Sequence, residues 1–330
     1  EVAAPEVAAP EVAAPEVAAP EVADPEVADP APHDTAPAAD AGARLQLLAE
    51  GLSERTRELA AMGPLLLQTG VALVRRARRR RRLNVPEARI FRGPSTSFNA
   101  KLGVGRRLAL TRFSLADIRS VKHSGGASVN HVLLAVVGGG LRRYFIGRGE
   151  AVRGPLVAAV PIGFLAETDR TAGNRVSNMM VPVHTEIADE HARLTATRAS
   201  SIAAKELHDV FGPDLLLRWA RQVRRRPLRT LWRVVGVYAP RPPINLIVSN
   251  VPGPRHALAS DGLRVTELYS VGLLVERVGL NLTCWSYDGH LYVSILACAE
   301  HGTGVDAIAD GMHAAFATLL DDVAPHEPRP

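Results

Sequence analysis

Cysteine occurs only twice in the 330-residue sequence, at Cys284 and Cys298. Two thiols build neither a disulfide framework nor, by themselves, a zinc site. Left unpaired, they fit a reducing compartment. The eleven histidines are scattered, and no HxxxH, HExxH or CxxC spacing occurs, so no metal motif is legible. A P-loop and a GxSxG elbow are also missing, and "GVG" at Gly103–Gly105 falls short of a dinucleotide fingerprint. Aromatic residues make up 5% of the chain, too few for stacking on bases, and no nucleic-acid recognition motif is present. No nucleic-acid partner is therefore expected. No apolar run reaches the roughly 18 residues that a membrane-spanning helix needs. The first forty residues carry no apolar core of a signal peptide. These absences together predict a cytoplasmic chain.

Low-complexity sequence is present instead. Four copies of EVAAP and two of EVADP fill Glu1–Pro30, and a looser Pro/Ala/Asp stretch continues to Asp40. Proline at every fifth position removes an amide donor and disfavours helix in the residue before it. A five-residue unit is too short to bury anything as a solenoid. Residues 1–40 are therefore expected to form a disordered, solvated linker. They hold six Glu and four Asp with no Lys or Arg; +5 for the whole chain less −10 for this tail leaves +15 on residues 41–330. A body this basic suits anionic partners such as lipid headgroups or a phosphorylated molecule like coenzyme A.

Residues 42–74 show a leucine-rich helical stripe, with a break expected at Gly63-Pro64. "RRARRRRR" (Arg75–Arg82) follows, seven arginines in eight residues. An apolar helical stretch that ends in an arginine block resembles an interfacial anchor for anionic lipid; a connecting helix with a solvated charged end is the other reading. Beyond a loop the pattern becomes regular. A strand is expected over Arg106–Phe113 and a helix capped by Ser114 as far as Lys122. A helix over Val129–Phe145 capped by Ser128 comes next, then strands over Pro155–Phe164 and Arg175–Thr185. Two helices are predicted, Asp189–Leu207 and Pro213–Val237; the second carries seven arginines with Trp219 and Trp232, a composition that suits a lipid–water boundary or a packed helix with solvated arginines. Strands follow over Ile244–Val251 and Leu263–Val271. A hairpin over Gly279–Ala297 turns on Asp288-Gly289, a type I′ signal that pairs Tyr287 with His290 and Cys284 with Val293. A helix over Val305–Leu320 closes the pattern, which describes an α/β domain with a mixed sheet and flanking helices.

Four segments carry the functional information. "ASVNHVLLAVVGGGLRRYF" (Ala127–Phe145) puts Asn130 in the first turn of a helix, where free amides and the helix dipole favour anionic or carbonyl groups. "GNRVSNMMVPV" (Gly173–Val183) places Gly173, Asn174 and Arg175 at the mouth of a strand. "INLIVSNVPGPR" (Ile244–Arg255) ends a strand in a proline-rich turn with Ser249, Asn250, Pro252 and Gly253. "LNLTCWSYDGHLYVSI" closes the sheet. Each segment alone also reads as a capped helix or a strand with a tight turn.

In this order the four resemble the C-terminal half of the bacterial wax ester synthase / acyl-CoA:diacylglycerol acyltransferase family, whose pattern runs "TVND", "GNRVS", "SNVPGP" and "SYDG". "TSFNAKLGVGRR" (Thr96–Arg107) is similar to the family's "PLN…IG…RR" segment. The resemblance spans Gly42 to Leu320. It implies one half of the coenzyme A-dependent acyltransferase (chloramphenicol acetyltransferase-like) fold. It also implies an O-acyltransferase that moves a fatty acyl group from acyl-CoA, a substrate rather than a cofactor, to diacylglycerol or a fatty alcohol. In the family a second histidine of HHxxxDG, in the N-terminal half, is the general base on the acceptor hydroxyl. This sequence has neither adjacent histidines nor HxxxDG, so no catalytic residue is assigned in it. "CWSYDG" (Cys284–Gly289) has that spacing with cysteine in the histidine place and is read as a hairpin turn.

The resemblance assigns Asn130, Gly173, Asn174, Arg175, Ser249, Asn250, Pro252 and Gly253 to shaping the inter-domain face near the active site. The family aspartate beside Asn130 is His131 here, which replaces an acceptor of fixed charge. The expected organisation is a linker over 1–40, a helical basic connection over 41–95 and a C-terminal acyltransferase domain over 96–330. Expected partners are acyl-CoA, a lipid alcohol, an N-terminal half bearing the histidine motif, and an anionic membrane or lipid-droplet surface. A non-catalytic module that binds a lipid surface or a partner is the alternative.

Overall fold

Ser114 ends a strand and Ser128 follows a turn, and both begin a helix by capping it. The Ser114 hydroxyl accepts from the Asp117 amide at 3.3 Å, and the Ser128 hydroxyl from the His131 amide at 3.2 Å. Each bond satisfies one of the amides that the first turn of a helix leaves without an intrahelical partner. The computed structural model describes residues 63–79, 81–82, 88, 91–163, 176–210, 212, 215, 239–254, 256–260 and 262–323. The repeat, the expected helix over 42–62 and the residues Gly173, Asn174 and Arg175 lie outside these. So does the arginine-rich helix expected over Pro213–Val237, apart from Leu215.

The helices are α1 (residues 63–79), α2 (Leu115–Ser124), α3 (Val129–Gly147), α4 (Glu190–Asp209) and α5 (Asp306–Asp321). The strands are β1 (Arg106–Ser114), β2 (Leu156–Gly163), β3 (Val176–Val183), β4 (Leu246–Val251), β5 (Ala259–Ser260), β6 (Leu263–Arg264), β7 (Leu280–Tyr287) and β8 (His290–Cys298). Six strands form one sheet in the order β1-β8-β7-β4-β2-β3. β4 runs parallel to both β2 and β7, while the outer pairs are antiparallel. The mixed sheet agrees with the expected α/β class.

Strand alternation separates the two faces of the sheet. Ala109, Phe113, Leu156, Ala158, Leu246, Val248, Leu280, Leu282, Leu291 and Val293 point to one face and join a single core with α2, α3 and α5. Helix α3 is the centre of that layer, with twelve of its 19 residues buried, and it packs against both α4 and α5. Burying a large apolar side chain is worth about 1.5–3 kcal/mol, so this face contributes much of the stability. Leu108, Leu110, Asn281, Thr283 and Trp285 have the opposite parity and point to a face that carries none of the described helices. No helix among the described residues is long and apolar enough to cross a membrane.

The hairpin register is as expected: Tyr287 pairs with His290 and Cys284 with Val293. Asp288 and Gly289 have φ of 40° and 81°, the positive values that a type I′ turn demands. Cys284 and Cys298 are unpaired and buried. The strand expected over Leu263–Val271 does not join the sheet. Only Leu263–Arg264 is extended, and it pairs with Ala259–Ser260. The reason lies in two tyrosines: the Tyr287 hydroxyl donates to the Val265 carbonyl at 2.7 Å and the Tyr292 hydroxyl to the Thr266 carbonyl at 3.2 Å. Side chains thus satisfy the segment that a neighbouring strand would otherwise have paired.

The three glycines Gly138–Gly140 sit mid-helix, where glycine costs about 1 kcal/mol per residue relative to alanine. A Cβ at Gly140 would lie 2.5 Å from Met312 Cγ and 2.8 Å from the Ile308 carbonyl oxygen of α5, whereas one at Gly147 would meet nothing within 4 Å. Gly140→Ala is therefore expected to lower the unfolding free energy by about 1–3 kcal/mol despite its better helix propensity. Gly147→Ala should leave it unchanged or slightly raised. Urea titration of both variants checks this, and equal midpoints would show that the α3–α5 approach is not tight.

Candidate functional site

Because β2, β4 and β7 run parallel, their C-terminal ends share one edge of the sheet. Antiparallel β3 begins there too: Val176, which directly follows the Gly173–Arg175 motif in sequence, pairs with Gly163 at the end of β2. Carboxyl edges of parallel strands are common ligand sites in α/β sheets, because loops and helix N-termini meet there. At this edge Asn250, the penultimate residue of β4, donates from Nδ2 to Oδ1 of Asn130 at 2.5 Å. Two asparagines 120 positions apart are thus joined, one from a strand end and one from the first turn of α3. Ser249, half-buried like Asn250, lies opposite Thr283 in the β4–β7 ladder.

The turn after β4 is fixed from the other side. Gly253 donates its amide to the Ser286 hydroxyl at 3.0 Å. A Cβ on Gly253 would collide with the Ser286 carbonyl oxygen, so glycine is required there for close approach to β7. Pro252 is exposed at the tip. Five of the eight residues singled out from sequence therefore gather at one edge: Asn130, Ser249, Asn250, Pro252 and Gly253. Gly173, Asn174 and Arg175 lie outside the described residues.

His131 completes the cap of α3. Its Nδ1 accepts from the Ser128 amide at 3.1 Å while its own amide donates to the Ser128 hydroxyl. This is the reciprocal capping box, with an imidazole in the place that Glu or Gln usually fills. Nδ1 can accept only when it carries no proton. Burial, and secondarily the positive charge of Arg198, push the His131 pKa below its ordinary 6.5. The neutral acceptor form is thereby favoured in the folded chain.

Two other groupings carry no chemistry. Cys284 is fully buried, and burial pushes its thiol pKa far up, so no thiolate nucleophile forms. Glu186 Oε1, His184 Nδ1, His184 Nε2 and Ser200 Oγ line up at 2.8 and 3.1 Å in an acid–imidazole–hydroxyl series, which sequence reading missed because the three residues belong to no motif. Ser200 is 1% exposed, and its hydroxyl donates back to the Ala196 carbonyl within α4 at 2.8 Å. A nucleophile needs a path for substrate, and this hydroxyl has none; the series fastens α4 to the end of β3. Among the described residues, no three His, Cys, Asp or Glu side chains are placed to hold a metal.

The wax ester synthase/diacylglycerol acyltransferase catalytic domain matches residues 15–133, and the C-terminal domain of the same family matches residues 172–320. The chain belongs to the wax ester synthase/diacylglycerol acyltransferase family. A Mycobacterium tuberculosis (strain ATCC 25618 / H37Rv) protein named as a diacylglycerol O-acyltransferase is 33% identical over 287 residues, which cover 85% of this chain and 56% of that protein. A Mycobacterium bovis protein of the same name type is 32% identical over 235 residues, 71% of this chain and 50% of its own. The chain thus spans about half the length of the curated relatives it matches. The solved wax ester synthase/diacylglycerol acyltransferase from Marinobacter aquaeolei VT8 superposes with a TM-score of 0.58 at 24% identity, over 70% of this chain and 52% of that one. The two share a fold. Asn130 and His131 lie within the catalytic-domain match and Asn250 within the C-terminal match, so the bond between the asparagines ties the two matched regions together.

Since the folded His131 pKa lies below 6.5, the cap is fully present above pH about 6.5 and is lost as pH falls through the lowered value. His131→Asp supplies an acceptor that stays ionised over that range. Its unfolding temperature relative to the parent is expected to rise as pH drops from 7.5 to 5, by an amount equivalent to about 1 kcal/mol. A pH-independent difference between the two would remove the imidazole from the cap.

Proposed function

We propose that this chain is the C-terminal part of an O-acyltransferase that moves a fatty acyl group from acyl-CoA to diacylglycerol or a fatty alcohol. The observation that carries the reading is the Asn130–Asn250 bond. It draws the family's helix-start and strand-end motifs to one sheet edge, as expected of residues that shape an active-site face. Chemically, a general base takes the acceptor hydroxyl proton, the oxygen attacks the thioester carbonyl, and coenzyme A leaves as the thiol. No cofactor beyond the acyl-CoA substrate enters this reaction. The base of the family motif has no counterpart in this sequence, so it would come from an N-terminal half.

The face without any of the described helices supports a partner half. Leu108 and Leu110 of β1 are nearly half exposed there, and Leu273, whose carbonyl accepts from Asn281 Nδ2 at 2.8 Å, is 83% exposed. Apolar area of this kind marks a surface meant to be covered. The proposed working place is cytoplasmic and peripheral, at the inner face of a membrane or on lipid droplets.

Purified chain given palmitoyl-CoA with dioleoylglycerol or hexadecanol is expected to form no ester above a protein-free control. Fused behind an HHxxxDG-bearing half from a family member, it should form ester. Asn250→Ala in that fusion should slow turnover by about tenfold, the order of effect expected from a lost positioning contact. A folded fusion without turnover would sink the acyltransferase reading and leave the non-catalytic lipid- or partner-binding module. Turnover by the chain alone would refute the need for the histidine motif.

A further inference from the structure

Helix α1 has two apolar faces, and among the described residues the body of the protein covers one of them. Leu65 and Ala72, two turns apart, are buried and form a small cluster with Leu215 and Val210. Arg79 Nε fixes the far end through Glu206 of α4 at 3.1 Å. On the outer side Leu66, Leu67, Val71, Leu73 and Val74 are 53%, 71%, 43%, 52% and 52% exposed. At 100° per residue these five sweep an arc of about 160° away from the docked face. No charged residue interrupts that arc before Ala77, and residues 63–82 contain no Asp or Glu. Arginines then crowd the C-terminal turns, with Arg75, Arg78, Arg81 and Arg82 exposed. They lie where the helix dipole is negative, which favours their concentration there.

We infer that the outer face of α1 is a docking surface for an anionic phospholipid bilayer, with the five apolar side chains inserted among the acyl chains and the arginines at the phosphate level. By sequence alone this stretch fits either an anchor or a solvated connecting helix. The geometry favours the anchor, because a solvated connector has no use for a wide leucine and valine face pointing outward. Charge decides the occupant: an all-basic helix end complements phosphate-bearing headgroups, and long arginine side chains can reach that level while their stems stay among apolar groups. The orientation follows from the docked side. Leu65, Ala72 and Arg79 hold α1 against the body, so insertion of the opposite face requires no unfolding. The inference rests on the proposed acyl-transfer function only for the expectation of a lipid substrate, and its test involves no acyl transfer.

Both native cysteines are fully buried, so a polarity-sensitive thiol dye can be placed selectively in the full chain at Leu67→Cys, with Ile146→Cys on α3 as an exposed control. Vesicles of phosphatidylglycerol and phosphatidylcholine are expected to shift the position-67 dye to the blue and leave the position-146 dye unchanged. Phosphatidylcholine alone should bind about tenfold more weakly. Arg75→Gln/Arg78→Gln/Arg81→Gln should abolish that preference, and Leu66→Gln/Leu73→Gln should weaken binding to both vesicles by about tenfold. Urea midpoints close to the parent would confirm that the variants fold. Three results would overturn the inference: no shift at position 67 with phosphatidylglycerol, equal shifts at both positions, or a shift that needs no vesicles and tracks dimer formation in sedimentation. The last would make the face a protein interface.

Discussion

Gly138, Gly139 and Gly140 let two things approach the backbone of α3 at once. One is α5, whose Met312 and Ile308 occupy the space where a Gly140 side chain would be. The other is the guanidinium of Arg193, fully buried, against which Gly138 and Gly139 lie. Arg193 donates to the carbonyls of His184, Ile187 and Ala188 and pairs with Glu190, so it organises the turn between β3 and α4. Glu190 also accepts from Arg143 of α3 at 2.7 Å. A buried cation is tolerable only when its donors are satisfied in this way. The glycines therefore set the depth at which α3 sits, and that depth determines where its N-terminus meets the sheet edge. Asn130 reaches Asn250 because of packing about ten residues further along the same helix.

The candidate site is thus a product of rigid elements rather than of loops. β4 carries Asn250 between two parallel neighbours, and Gly253 locks the following turn to Ser286 of β7. At the opposite end of β4 a second asparagine pair holds the entry. Asn99 and Asn245 are both buried; Asn245 Nδ2 donates to Asn99 Oδ1 at 2.8 Å, and Asn245 Oδ1 accepts from the Val157 amide at 2.8 Å. The same residue type therefore has two functions on one strand. The buried pair closes the sheet against the Thr96–Asn99 turn, and the exposed pair joins α3 to the carboxyl edge of β4.

Secondary structure was legible where local chemistry was decisive. Asp288-Gly289 could only turn a hairpin, and Ser114 and Ser128 could only begin helices, so those boundaries came out within a residue or two. The strand expected over Leu263–Val271 failed because its fate depends on Tyr287 and Tyr292, distant hydroxyls that take its carbonyls. Pattern reading sees alternation but not which neighbour will satisfy the backbone. The gathering of Asn130, Ser249, Asn250, Pro252 and Gly253 was legible only through resemblance to a family motif. Nothing in the spacing of positions 130 and 250 announces a contact, since it depends on strand order. Arg193 illustrates the same limit: among 39 basic residues, no local signal marks the one beneath three glycines of another helix.

The replacement at position 131 separates two roles that an aspartate would combine. At that place in the first turn a carboxylate supplies an acceptor for the Ser128 amide and a negative charge for the helix dipole and for nearby Arg198. The imidazole keeps the first role and gives up the second. Asn130 keeps its place because that place depends on the cap's geometry, which any well-directed acceptor supplies. Arg198 loses a potential carboxylate neighbour and instead adds to burial in keeping the imidazole neutral. The sheet edge is then one negative charge poorer than the family pattern.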